Sequence, residues 1–126
     1  MVNRKPLSMV IRIPDVTLSR SDLETALGRP VDRHEPRSGR ASMFAQIDID
    51  DDRDQWVVAL GCIQSLQAPV QRLVAEGLIG SPCVDVAVGL PASAVATSLT
   101  IPARLAVAAG AAGMDVVVSV YSTSSA

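Results

Sequence analysis

The stretch Met43–Leu60, MFAQIDIDDDRDQWVVAL, decides how the chain is read. Met43, Ala45, Ile47 and Ile49 alternate with Phe44, Gln46 and Asp48, the period-two pattern of a half-buried strand. Asp50 to Asp54 then supply turn residues. Trp56, Val58 and Leu60 line one face of another run. Two alternating runs around an acidic tip predict a β-hairpin, and strands that alternate in polarity indicate a sheet with one solvated face.

Upstream, Met9, Ile11 and Ile13 share one face of a first strand over Ser8–Ile13, which Pro14 stops. Ser19 stands at an N-cap position, Asp22 lies in the first turn, and Leu18 and Leu23 occupy the two places of a hydrophobic staple. Gly28 and Pro30 end the segment, so residues 20–27 are expected to form a short helix. Residues 28–41 have no apolar period and hold two prolines and two glycines, which predicts a long polar loop. Downstream, Leu66, Val70, Leu73, Val74 and Leu78 predict an amphipathic helix over 66–79, with Pro69 confined to its first turn. Val84, Val86 and Val88 mark a fourth strand. Thr100 is placed to cap a helix over 101–109, and Met114, Val116, Val118 and Val120 face one way along a final strand. Tyr121 falls on the opposite parity and is expected to point outward.

The expected order is β-α-β-β-α-β-α-β. The expected architecture is a two-layer α+β domain: a mostly antiparallel five-stranded sheet with helices on one face. The expectation is one domain over residues 1–126, with a core at about 8–121 and a polar tail at 122–126.

The composition bounds the function. The 126 residues are the size of one ordinary domain, and 48% hydrophobic against 19% charged residues excludes intrinsic disorder. A net charge of −2 and three aromatics, Phe44, Trp56 and Tyr121, argue against direct nucleic-acid binding. No apolar run has the length of a secretory signal or a membrane span. Cys62 and Cys83 are not spaced as a zinc pair, and reduced thiols in a cytoplasmic protein are the simplest account. No nucleophile elbow, phosphate loop or metal motif is present, so no catalytic residue, metal or cofactor is assigned.

Leu23…Leu27-Gly28-x-Pro30 follows a strand, a polar loop with Gly39 comes next, then Trp56 opens a strand and a central helix follows. Leu105-Ala106 and a closing Asp115-Val-Val-Val-Ser-Val-Tyr121 complete the frame. In this order and spacing the chain resembles the bacterial domain-of-unknown-function family catalogued as 4279, over roughly residues 8–121. The resemblance brings no enzymatic activity, cofactor or catalytic residue. It suggests a bacterial immunity protein that neutralises a toxin encoded beside it.

Charge is unevenly placed: residues 1–41 carry +3 and residues 42–126 carry −5. Asp48, Asp50, Asp51, Asp52 and Asp54 concentrate the acid. Three readings stand. The run is a solvated turn, a docking surface for a basic partner such as a nuclease toxin, or a weak cation site. An EF-hand is excluded, because Arg53 and Ala59 stand where that loop needs Gly and Glu. Trp56 beside the run is either a core side chain or an interface anchor. The second charged segment is the 29–40 loop. There Arg33, His34, Arg37 and Arg40 either grip an anion, pair with neighbouring acids or pair with the acidic tip of the same molecule. Two functions follow: a non-catalytic toxin-binding immunity protein acting through its acidic surface, or a sensor or accessory domain for a small anionic ligand. A homo-oligomer is compatible with both.

Overall fold

A computed structural model describes residues 6–37, 39, 41–49 and 54–123. Along the chain these form β1 (Ser8–Val16), α1 (Arg20–Leu27), β2 (Arg33–Pro36), β3 (Met43–Asp48) and α2 (Gln55–Ala75). Then come β4 (Cys83–Pro91), α3 (Ala103–Ala111) and β5 (Asp115–Thr123). The sheet order is β2-β3-β1-β4-β5. The first four strands pair antiparallel, and β5 pairs parallel to β4 across nine register positions from Cys83–Asp115 to Pro91–Thr123. The sheet is therefore mixed. β1 through β4 with α1 and α2 make two interleaved split β-α-β units, the ferredoxin-like arrangement, to which α3 and β5 are added. The parallel pair follows from the chain path, since parallel neighbours need a crossover and α3 supplies it.

The sequence of element types agrees with expectation, but two of its members differ. The segment read as a strand at Trp56–Leu60 is the first turn and a half of α2. Trp56, Val58 and Leu60 fit an alternating pattern, but the buried set of α2 is Gln55, Ala59, Cys62, Ile63, Leu66, Val70 and Leu73. That spacing is helical, and Val57 lies 66% exposed. Asp54, read as a turn residue, is the N-cap: its carboxylate accepts from Trp56 N at 3.0 Å. Among the described residues β3 is followed by α2 and not by a strand, so the expected hairpin with an acidic tip is not formed. Pro69 consequently lies deep within a 21-residue helix and not in a first turn.

The missing strand is found in the segment read as loop. Arg33–Pro36 pairs with Met43–Gln46 as an edge strand. It shows no apolar alternation because three of its four residues face solvent. Val31, 2% exposed, anchors the segment, and Arg20 Nη2 donates to its carbonyl while its N–H donates to Glu24 Oε2.

Elsewhere the local signals operate as expected. Ser19 caps α1 by accepting from Asp22 N at 3.1 Å, and Gly28 ends the helix with φ of 75°. α3 starts two residues later than expected, after Pro102 and without a side-chain cap. The core is one cluster in which Ile11, Ile13, Ala45, Ile47, Val84 and Val86 of the sheet meet Leu23, Ile63, Leu66 and Leu105 of the helices. Gly89 lies between Leu7 and Thr123. A Cβ added there would stand 3.2 Å from Leu7 Cδ1 and 3.1 Å from Thr123 Cγ2.

Candidate functional site on the open face of the sheet

Residues of the opposite strand parity form the face away from the core. On β1 these are Val10, Arg12 and Pro14; on β3, Phe44, Gln46 and Asp48; on β4, Cys83 and Asp85. Register fixes their neighbours. Arg12 lies opposite Gln46 on one side and Cys83 on the other, and Glu35 lies opposite Phe44.

A chain of polar contacts crosses this face. Ser119 Oγ donates to Asp85 Oδ1 at 2.8 Å, and Arg12 Nε donates to Asp85 Oδ2 at 3.0 Å. Arg12 Nη1 donates to Gln46 Oε1 at 3.2 Å, and Gln46 Nε2 donates to Asp48 Oδ1 at 2.7 Å. The backbone N–H of Asp48 donates to Asp32 Oδ2 at 2.6 Å. Four strands are tied together, and Arg12 is fixed by two partners.

At one side of this chain lies a concavity of about 400 Å³, lined by Arg12, Arg33, Glu35, Pro36, Arg37 and Phe44. The Phe44 ring sits among the cations: its centroid is 6.0 Å from Arg12 Cζ and 5.8 Å from Arg37 Cζ. Three guanidinium groups face one carboxylate. Arg12 is compensated by Asp85, whereas Arg33 and Arg37 have no carboxylate partner among the described residues. The pocket therefore carries an excess of positive charge on planar forked donors beside an apolar ring, which suits a carboxylate or phosphate attached to a flat or apolar body.

The arginine-loop residues are only partly brought together. Arg33 and Arg37 line the pocket. His34 points the other way along β2, opposite Ala45, and its Nε2 donates to the carbonyl of Leu18 at 2.9 Å. It pins the start of α1 and does not face the arginines. Arg40 lies outside the described residues.

Of the acidic residues, Asp50, Asp51 and Asp52 lie outside the described residues. Asp48 and Asp54 are exposed, one ending β3 and the other capping α2. Trp56 is half-buried and packs against the core from the first turn of α2. Among the described residues no three His, Cys, Asp or Glu side chains converge as metal ligands. Cys62 is buried, with Arg29 Nη1 donating to its sulfur at 2.7 Å. Burial pushes its thiol above the ordinary range, and Arg29 opposes that only in part. Cys83 is raised by burial first and then by the neighbouring Asp85.

Arg12 and Phe44 escaped the sequence reading, although a signal existed. Arg12 interrupts an otherwise apolar strand, and Phe44 lies on the same outward parity as Gln46 and Asp48. What could not be read was that β1, β2 and β3 are neighbours. Comparison of the chain with protein-family models, with curated proteins and with solved structures gave no match. Among the described residues no helix is long and apolar enough to cross a membrane.

Proposed function

We propose that this chain is a non-catalytic binding module and that its working surface is the open face of the sheet. There Arg33 and Arg37 receive an anionic group, with Arg12 held behind them and Phe44 covering the apolar part of the ligand. The observation that carries this reading is the placement in one pocket, beside an aromatic ring, of two arginines that have no carboxylate partner among the described residues. The pocket is partly open to solvent, which suits recognition better than bond-making chemistry. Calorimetric titration with inorganic phosphate, with di- and tricarboxylates and with aryl phosphates tests it. Binding is expected for at least one class, strongest where an aromatic body carries the charge. Arg33→Ala and Arg37→Ala are expected to abolish it with the thermal midpoint unchanged, because both side chains are exposed. Absence of heat for every class at millimolar ligand sinks the reading.

A second reading is the toxin-immunity one, and the exposure of Asp48 and Asp54 at the two ends of the acidic run favours it. A basic toxin domain would dock on that run, with an association rate that falls steeply with salt. Asp50→Asn, Asp51→Asn and Asp52→Asn together test it: the rate of capture of the protein encoded beside this chain is expected to fall. An unchanged rate removes this surface from consideration.

A further inference from the structure

The two edges of the sheet are built differently. β2 is four residues long and holds Arg33, Glu35 and Pro36, the short, charged and proline-bearing design that blocks pairing with another strand. β5 is nine residues long and pairs with β4 without a register break, so it is not bulged. Its single charged residue is Asp115, at one end. It is apolar on both faces: Val118 is 48% and Val120 60% exposed on the helix side, and Val117 41% and Tyr121 52% on the open side. Among the described residues, half of the eight exposed large hydrophobic side chains lie on this one strand. α3 buries Leu105 and Ala109 and leaves the far half of β5 uncovered.

We infer that β5 is the interface of a homodimer, in which a second copy of this chain pairs with it antiparallel about a two-fold axis at Ser119. An edge strand is complementary to itself in that orientation, as an isologous interface requires. With Ser119 opposite Ser119 of the second copy, Val118 faces Val120 and Val117 faces Tyr121. These are the β-branched and aromatic cross-strand pairs that stabilise sheets. The charges agree, since each Asp115 lies opposite Thr123 and the two carboxylates stand at opposite ends. Nine residues at about 3.3 Å each make an edge about 30 Å long, about 20 Å deep where α3 backs it and about 10 Å deep over the uncovered half. Such an edge buries roughly 450 Å² per copy and roughly 900 Å² in all, the size of a concentration-dependent interface. The product is a continuous ten-stranded sheet with both charged β2 edges outermost. The inference is independent of the anion pocket.

Sedimentation equilibrium over a concentration series tests it, with cysteine cross-linking as the register probe. The wild-type chain is expected at twice its 13.2 kDa mass at high concentration, and the double variant Val118→Lys/Val120→Lys as a monomer. Both valines are exposed, so the double variant is expected to keep the wild-type circular dichroism spectrum. Ser119→Cys is expected to form a covalent dimer on mild oxidation, because opposed strand residues fall within disulfide reach. Val117→Cys, which faces Tyr121 and not itself, is not. A wild-type monomer at millimolar protein, with β5 left for a foreign strand, overturns the inference. So does a dimer that survives the lysine substitutions, or equal cross-linking at 117 and 119.

Discussion

Arg12 and Asp85 form a 3.0 Å ion pair between adjacent strands whose two ends are unequally covered: the arginine side chain is 39% exposed and the aspartate 12%. The two deletions are therefore not equivalent. Arg12→Ala leaves a poorly hydrated carboxylate with Ser119 as its remaining partner. Asp85→Asn leaves an arginine that reaches water and keeps Gln46. Arg12→Ala is expected to cost about 1–3 kcal/mol, and Asp85→Asn under about 1 kcal/mol. Urea midpoints with unchanged slopes measure both. Equal losses would mean that the carboxylate is already solvated.

Asp54 separates a helix cap from an acidic turn. As the N-cap of α2 it accepts from Trp56 N. Asp54→Ala is expected to destabilise by about 1 kcal/mol, and Asp54→Ser to be close to neutral. An acid on a crowded turn would behave in the opposite way, since its removal relieves repulsion. Thermal unfolding of the two variants decides between these roles.

Pro69 lacks an amide hydrogen inside a helix, which leaves the carbonyl of Ser65 without its intrahelical donor. Pro69→Ala restores that bond and removes the ring clash. A gain of about 1–3 kcal/mol is expected, less whatever stiffness proline lends the unfolded chain. Chemical denaturation measures it, and a loss of stability would show that the ring is needed for packing against its neighbours.

Cys62 carries a thiol raised above the ordinary 9.0 by burial. Its raised value means that the folded state holds its proton to higher pH than the unfolded chain does. The contribution to stability is complete below pH 9.0 and is lost as pH climbs from there through the folded value. Alkylation at pH 7 followed by mass spectrometry is expected to modify Cys62 only at the slow rate at which the chain unfolds. Rapid labelling of Cys62 at neutral pH would contradict its burial.

Several elements were legible because their signals are local. Ser19, Gly28 and the Leu18–Leu23 staple bracket α1 within eleven residues, and the alternation of Val84, Val86 and Val88 marks β4 without help from the rest of the chain. β2 was not legible, because a strand at a solvated edge has no apolar face to print a period, and only its pairing with β3 makes it a strand. The start of α2 was ambiguous in a different way. Trp56, Val58 and Leu60 alternate, while Gln55, Ala59, Cys62 and Ile63 share a helical face. Asp54 decided the case by capping, and an aspartate in an acidic run is read first as a turn. For the pocket, Arg33 and Arg37 stood out by charge. Arg12 and Phe44 come from other strands, and their arrival beside the loop depends on the order β2-β3-β1.

The position of Gly89, with Leu7 on one side and Thr123 on the other, brings the first and last strands to a common end of the sheet. A few residues joining Leu7 to Thr123 would close the described strands into a ring. New ends opened in the stretch between β4 and α3 would then give a circular permutant that begins with α3 and β5 and finishes with the split β-α-β units. In such a permutant the parallel β4–β5 pair would become the contact of greatest sequence separation, so its folding rate, more than its stability, would register the change.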